Sequence, residues 1–227
     1  GKALISLTRK MRNFDQNYLE LAVGYVNEGM YAEAEDVLNR YKGENPIVQY
    51  YLGYIQDHNG NREQAAKYFQ TAQTLSEANC FPFRLETVKI LEKAIAYNPN
   101  DGKAYYYLGN ILYNLQPAKA IECWRMAVKY EAGLAMAYRN LGWGYYRHFK
   151  DVQKAIPFYE KSILLDHTDA ILFTEIDNLY ELNNSPIEKR LKIFEGNEQV
   201  VNKRDDAFVR QITVLTLAGK PEKSVEY

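Results

Sequence analysis

The sequence predicts an all-α protein, an α-solenoid built from antiparallel helix pairs, on three observations. Apolar residues recur at the spacing of one helix face, Leu-Gly pairs recur along the chain, and Pro, Gly or Asn residues separate the helical segments. In the stretch AYYYLGNILYNL, Tyr105, Leu108, Gly109 and Leu112 occupy positions i, i+3, i+4 and i+7. The same spacing returns 33 residues later from Tyr138, which indicates an internal repeat.

Each repeat unit is predicted to contain two closely packed helices. In the unit that contains the opening stretch, a second helix follows Pro117 and carries Ala120, Trp124 and Ala127 at i, i+4 and i+7. Gly or Ala where two helices cross lets the backbones approach, and large residues fill the space beside them. We expect units at residues 14–46, 47–77, 101–132, 134–167, 169–202 and 206–227, within a single domain that spans residues 1–227.

An extra segment lies between the second and third units. It contains SEANCFPFR and a helix expected at residues 84–97, which Pro99 closes. This helix has the apolar pattern of a second repeat helix, so we expect one whose first helix is missing. Phe81-Pro82-Phe83 stands in the place of that missing helix, and the sequence assigns no role to residues 77–84.

The last two units match the pattern less well. The unit at 169–202 lacks the Leu-Gly pair, and its second helix is expected to begin with a capping box from Ser185 to Glu188 and to end near Gly196. The unit at 206–227 stops a few residues into its second helix, where the exposed face would lack a cap. We therefore expect the chain to be a piece of a longer protein.

This pattern resembles the tetratricopeptide repeat, a helix–turn–helix of about 34 residues. That repeat has large–x2–Leu–Gly–x2–Tyr in its first helix and Ala–x3–aromatic–x2–Ala in its second. Leu108-Gly109 with Trp124, and Leu141-Gly142 with Tyr159, match these positions. The resemblance implies a right-handed superhelix whose concave wall is lined by first helices.

The chain also resembles a group of uncharacterised, multidomain bacterial proteins. Three stretches carry this second resemblance: NCFPFRLE at 79–86, AYYYLGN at 104–110 and NKRDD at 202–206. In those proteins a tetratricopeptide array follows an N-terminal β-sandwich region reminiscent of carbohydrate-processing enzymes. The resemblance implies a sugar-related context and transfers no activity.

Aromatic residues concentrate at the positions that reach the concave wall in the family, the fifth, ninth and twelfth of each unit. They fill eight of the twelve such positions in the four middle units, although only 14% of the chain is aromatic. By this register Tyr105 is a core residue, Tyr106 faces the groove and Tyr107 lies at the flank. The predicted wall comprises Tyr50, Tyr54, Tyr106, Asn110, Tyr113, Arg139, Asn140, Trp143, Tyr146, Asp177 and Tyr180.

Two interpretations of the predicted wall remain open. The rings either line a groove that binds a peptide or a sugar, or they pack against neighbouring first helices in a tight superhelix. A third arrangement, the clamp for acidic C-termini found in chaperone-binding members of the family, is disfavoured. Asn110 and Asn140 match its two Asn positions, but Tyr106 stands where that clamp needs Lys.

Composition excludes several function classes. The net charge is −1 and the pI about 6.4, so we expect no nucleic-acid partner. No apolar run approaches the roughly 20 residues that span a bilayer, so we expect no membrane insertion and a cytoplasmic location. Cys80 and Cys123 are isolated, the histidines are scattered, and no catalytic set or phosphate loop occurs; we expect no metal and no cofactor.

The sequence therefore predicts a non-catalytic interaction or scaffold module. Its aromatic groove would bind a peptide segment of a protein partner, or a neighbouring domain of the same chain. One alternative is an accessory region of a carbohydrate-active enzyme whose catalytic domain lies upstream. Another is self-association of the chain.

Overall fold

The structure, a computed structural model, describes residues 9–224. Between Asp15 and Leu217 it contains thirteen α-helices, and the described residues contain no strand, which confirms the predicted all-α class. The sequence predicted one domain, whereas the packing divides the chain into two compact units, unit 1 ending at Gln116 and unit 2 beginning at Pro117. The last three residues of the repeat predicted at 206–227 lie outside the described part.

Each compact unit consists of helices joined by turns and short loops. Unit 1 contains α1 (Asp15–Asn27), α2 (Tyr31–Asn39), α3 (Pro46–His58), α4 (Arg62–Thr74), α5 (Thr87–Tyr97) and α6 (Gly102–Leu112). Unit 2 contains α7 (Pro117–Tyr130), α8 (Ala135–Arg147), α9 (Val152–Leu165), α10 (Ile171–Leu182), α11 (Ile187–Lys192), α12 (Glu198–Val201), α13 (Asp205–Leu217) and a 3₁₀ turn (Pro221–Ser224).

Sequential helices pack in pairs, α1 on α2, α3 on α4 and α8 on α9. Turns of only three or four residues join them, so the two helices of a pair run antiparallel. Gly29 and Gly60 sit in two of these turns with φ of 75° and 81°, a left-handed conformation that glycine adopts without steric cost.

The pairs cross at the predicted glycines. A Cβ placed on Gly53 would lie 2.5 Å from the Phe69 ring, and one on Gly142 would lie 2.4 Å from the Tyr159 ring. In each pair an aromatic side chain of the second helix therefore packs directly on the backbone of the first. This confirms the packing expected at Leu141-Gly142, and Gly53, which follows Leu52, makes the same kind of contact.

The extra helix α5 packs on both α3 and α6. The Tyr51 and Thr87 hydroxyls lie 3.0 Å apart, and the Tyr97 hydroxyl donates to Asp57 at 2.5 Å. The segment before α5 is anchored by the buried Cys80, whose thiol lies 3.6 Å from the side-chain oxygen of Asn45. The insertion is thus part of the core of unit 1.

The end of unit 2 departs from a regular pair. Pro186 precedes α11 and no side chain caps that helix, so the predicted capping box does not form. The helix ends at Lys192, and Gly196, with φ of 78°, lies in the turn that separates α11 from α12. A separate hydrophobic core, which includes Phe173, Phe194 and Val214, holds these short helices together.

The tyrosines of the opening stretch correct the predicted register. Tyr107 is fully buried, Tyr106 is buried and Tyr105 is only half-buried, so Tyr105 is not the core residue of this run. The Tyr107 ring packs edge-on against Tyr50, and its hydroxyl lies beside the thiol of Cys80. The extra segment covers the flank that a regular repeat would expose, and burial raises the pKa of the Tyr107 phenol.

Candidate functional site

The predicted wall is partly buried. Four of its eleven residues are almost inaccessible: Tyr50, Tyr106, Asp177 and Tyr180. The other seven are half-buried: Tyr54, Asn110, Tyr113, Arg139, Asn140, Trp143 and Tyr146. The buried four present no open surface in this structure, and the packing of the helices around them gives the reason.

In unit 1, the wall residues of α3 are covered by α5 and α6. The Tyr50 hydroxyl donates to the carboxylate of Asp101, at 3.0 and 3.1 Å, just before α6 begins. Lys89 of α5 lies 5.8 Å from the centre of the Tyr54 ring, and burial raises the pKa of Tyr54. The extra helix thus occupies space that the sequence pattern assigned to a ligand.

In unit 2, the wall residues of α10 are covered by α9, which precedes it in the chain, and by α11 and α13, which follow it. Asp177 is fully buried and pairs with Arg190 of α11, at 2.8 Å, and with Arg210 of α13, at 2.9 Å. The Tyr180 hydroxyl donates to Glu160 at 2.7 Å, and burial together with this bond raises the pKa of Tyr180. Both side chains stabilise unit 2, and neither has an exposed surface that a ligand could contact.

A pocket remains open between α8 and α10, with a cavity of about 230 Å³. The α8–α10 pocket is lined by Trp143, Tyr146, Tyr159, Glu175, Asn178, Leu179, Glu181 and Leu182. Trp143 and Tyr146 are one turn apart on α8, and their rings meet edge-to-face with centres 6.5 Å apart. Across the cavity, Asn178 and Leu182 of α10 are exposed.

Ion pairs fix the charged residues around this pocket. Arg139 donates two hydrogen bonds to Glu175, at 2.8 and 2.7 Å, and these bonds raise the pKa of the guanidinium. Glu181 accepts from Arg210 at 2.9 and 3.0 Å, which lowers the pKa of that carboxyl. Arg147 lies 5.1 Å from the centre of the Trp143 ring, within cation–π range.

Sequence reasoning identified the α8 side of the pocket and missed the α10 side. It selected Trp143, Tyr146 and the neighbouring Arg139, but on α10 it chose Asp177 and Tyr180, which face the interior. The α10 residues that line the cavity are Glu175, Asn178, Leu179, Glu181 and Leu182. Without a Leu-Gly pair to fix the register, the spacing of this helix could not show which of its faces α11 and α13 would cover.

Among the described residues, no three His, Cys, Asp or Glu side chains group as metal ligands would. No helix in the same range is long and apolar enough to cross a membrane.

One segment of the chain matches a known repeat family. A model of the tetratricopeptide repeat matches residues 48–79, which include all of α4 and most of α3. Among solved structures, the chain is similar to MamA from Desulfovibrio magneticus RS-1, at 18% identity and a TM-score of 0.46, over 84% of this chain and 96% of that one. It is also similar to Pseudomonas aeruginosa pilF, at 14% identity and a TM-score of 0.48, over 93% and 87%. A third similar structure, the Cut9–Hcn1 assembly of APC/C, gives 18% identity and a TM-score of 0.46, over 92% of this chain and 44% of that one.

Proposed function

We propose that the chain is a non-catalytic interaction module and that its α8–α10 pocket receives a side chain of a protein partner. The pocket itself carries this proposal. It is a concave, largely apolar cavity in which a Trp and a Tyr stand opposite an exposed Leu. Large aromatic residues in a concave, partly dry site are the usual anchors of protein recognition.

The size of the cavity favours a side chain over a free small molecule. Pockets for drug-sized ligands are about 300–1,000 Å³, and this one is about 230 Å³. A single large side chain fits that space, with the rest of the partner lying outside it. A peptide segment of a partner protein, or of a neighbouring domain, would supply such a side chain.

Peptide display tests the proposal with a random library as the source of ligands. The library is selected on the wild-type protein and, in parallel, on Trp143→Ala and Phe149→Ala variants. Phe149 is a matched control because it is an aromatic residue of the same unit, 50% exposed, that does not line the pocket. We expect a peptide motif to be enriched on the wild type and on Phe149→Ala, and to be lost on Trp143→Ala.

Other outcomes would contradict the proposal. Equal enrichment on all three proteins would place binding outside the pocket. Binding on a glycan array that disappears with Trp143→Ala would instead favour the accessory role in a carbohydrate-active enzyme. A concentration-dependent dimer that Trp143→Ala disrupts would favour self-association.

A further inference from the structure

We propose that the α8–α10 pocket selects a neutral, apolar side chain of its partner, and that the Arg139–Glu175 ion pair sets this selectivity. The inference rests on the proposed binding function of the pocket. It concerns which chemical class of side chain the pocket accepts, and it follows from how the charges around the cavity are paired.

The walls of the cavity favour an apolar occupant. Trp143 and Tyr146 present rings from α8, while Leu179 and Leu182 present aliphatic groups from α10. A hydrocarbon side chain that enters leaves water and contacts these groups, which is favourable in proportion to the apolar area buried.

Every charged group that lines the cavity already has a counter-charge. Both oxygens of Glu175 accept from Arg139, and Glu181 is held by Arg210. The Arg139–Glu175 pair is largely shielded, with side chains only 23% and 16% exposed. A charged ligand would lose its hydration and find no unpaired opposite charge, so it is disfavoured.

The side chain of Asn178 offers a neutral polar group to the ligand. The side-chain amide of Asn178 is exposed, lines the cavity and makes no hydrogen bond to any other residue that the structure describes. An amide both donates and accepts, so it can pair with a peptide group of the partner without adding charge. The pocket thus combines an apolar interior with a neutral polar contact at its side.

The test uses capped single amino acids as probes. N-acetyl amides of leucine, phenylalanine, lysine and glutamate are titrated into the wild-type protein, and the indole N–H resonance of Trp143 is followed by NMR. We expect the leucine and phenylalanine amides to shift this resonance at concentrations at least about tenfold lower than the charged amides.

Variants that unpair one charge should change the preference in opposite directions. Glu175→Gln leaves Arg139 without its carboxylate, so the affinity for the glutamate amide should rise by about tenfold. Arg139→Gln leaves Glu175 without its guanidinium, so the affinity for the lysine amide should rise by about the same factor. The Arg139→Gln/Glu175→Gln double variant should recover the neutral preference. Asn178→Asp adds an unpaired charge at an exposed position where folding is not at risk, and should also favour the lysine amide.

The outcomes separate this inference from the proposed function. Charged amides that bind the wild type as well as neutral ones do, or an Asn178→Asp variant with unchanged preference, would overturn the selectivity but keep the pocket as a binding site. If none of the four amides shifts the Trp143 resonance, the pocket does not receive side chains and both proposals fall.

Discussion

Gly142 offers the sharpest test of how the helix pairs are held together. A Cβ at this position would lie 2.4 Å from Tyr159 Cδ2 and 3.2 Å from the carbonyl oxygen of Ala155. Non-bonded carbon atoms sit about 3.5–4.0 Å apart at their optimum, so the ring or the α9 backbone would have to move by about 1 Å. Tyr159 is 1% exposed, so a shift of its ring would disturb the packing around it.

The expected cost follows from two opposing effects. Overpacking of this kind costs about 1–3 kcal/mol, and replacing a helical glycine with alanine recovers at most about 1 kcal/mol. We therefore expect Gly142→Ala to lower the free energy of unfolding by about 1–2 kcal/mol, and Gly142→Leu to lower it further. Helix propensity alone would favour alanine at this position, and the close contact with the Tyr159 ring reverses that preference.

Urea denaturation followed by far-ultraviolet circular dichroism measures the effect. Gly133 is the matched control in the same unit, since a Cβ there meets nothing within 4 Å and its φ is not in the left-handed region. Gly133→Ala should therefore be neutral or stabilising by about 0.4–1 kcal/mol. In unit 1, Gly53→Ala and Gly24→Ala form the same contrast. If Gly142→Ala were as stable as Gly133→Ala, the close crossing of α8 and α9 would be wrong.

Three further predictions concern the core, the buried charges and pH. Leu108→Ala, at a residue 3% exposed, should lower stability by about 2–5 kcal/mol through the cavity it leaves; an unchanged denaturation midpoint would exclude burial of this residue. Asp177→Ala should lower the free energy of unfolding by about 3–5 kcal/mol, because it leaves the Arg190 and Arg210 guanidinium groups without their shared carboxylate. A decrease of less than about 1 kcal/mol would contradict a buried ion cluster. The hydrogen bond from Tyr97, with Lys93 nearby, lowers the pKa of Asp57. The ionised carboxylate therefore stabilises the fold at neutral pH, and this contribution is lost as the pH falls through the lowered pKa, below about 4. Asp57→Asn should therefore be less stable than the wild type at pH 7 and differ less at pH 3; a constant difference would refute the assignment.

The periodicity of the sequence predicted the helices well, because turn residues and Leu-Gly pairs act locally. Gly29 and Gly60 mark the ends of helices in the structure, and Gly53 and Gly142 lie at the helix crossings that their spacing indicates. These features depend only on residues nearby in the chain or on the partner helix of the same repeat.

Exposure of the aromatic residues could not be predicted in the same way. Tyr50 and Tyr180 have the helical phase of wall residues, but both are buried in the structure. The Tyr50 hydroxyl donates to Asp101 beside the start of α6, and Tyr180 packs against α9 and under Lys189 of α11. The insertion around Cys80 and the short helices after Pro186 break the repeat, so no repeat position predicts where their side chains pack. Only the tertiary structure shows that the α8–α10 pocket stays open while the wall of α3 does not.

The indole resonances of the two tryptophans test the account most directly. The chain contains only Trp124 and Trp143, so two indole N–H signals report on a buried core residue and on the pocket within one spectrum. When a display-selected peptide is titrated to saturation, we predict that the Trp143 signal shifts along the binding isotherm and the Trp124 signal stays in place. Saturable binding that leaves the Trp143 signal unmoved would contradict the proposal that the α8–α10 pocket receives the partner.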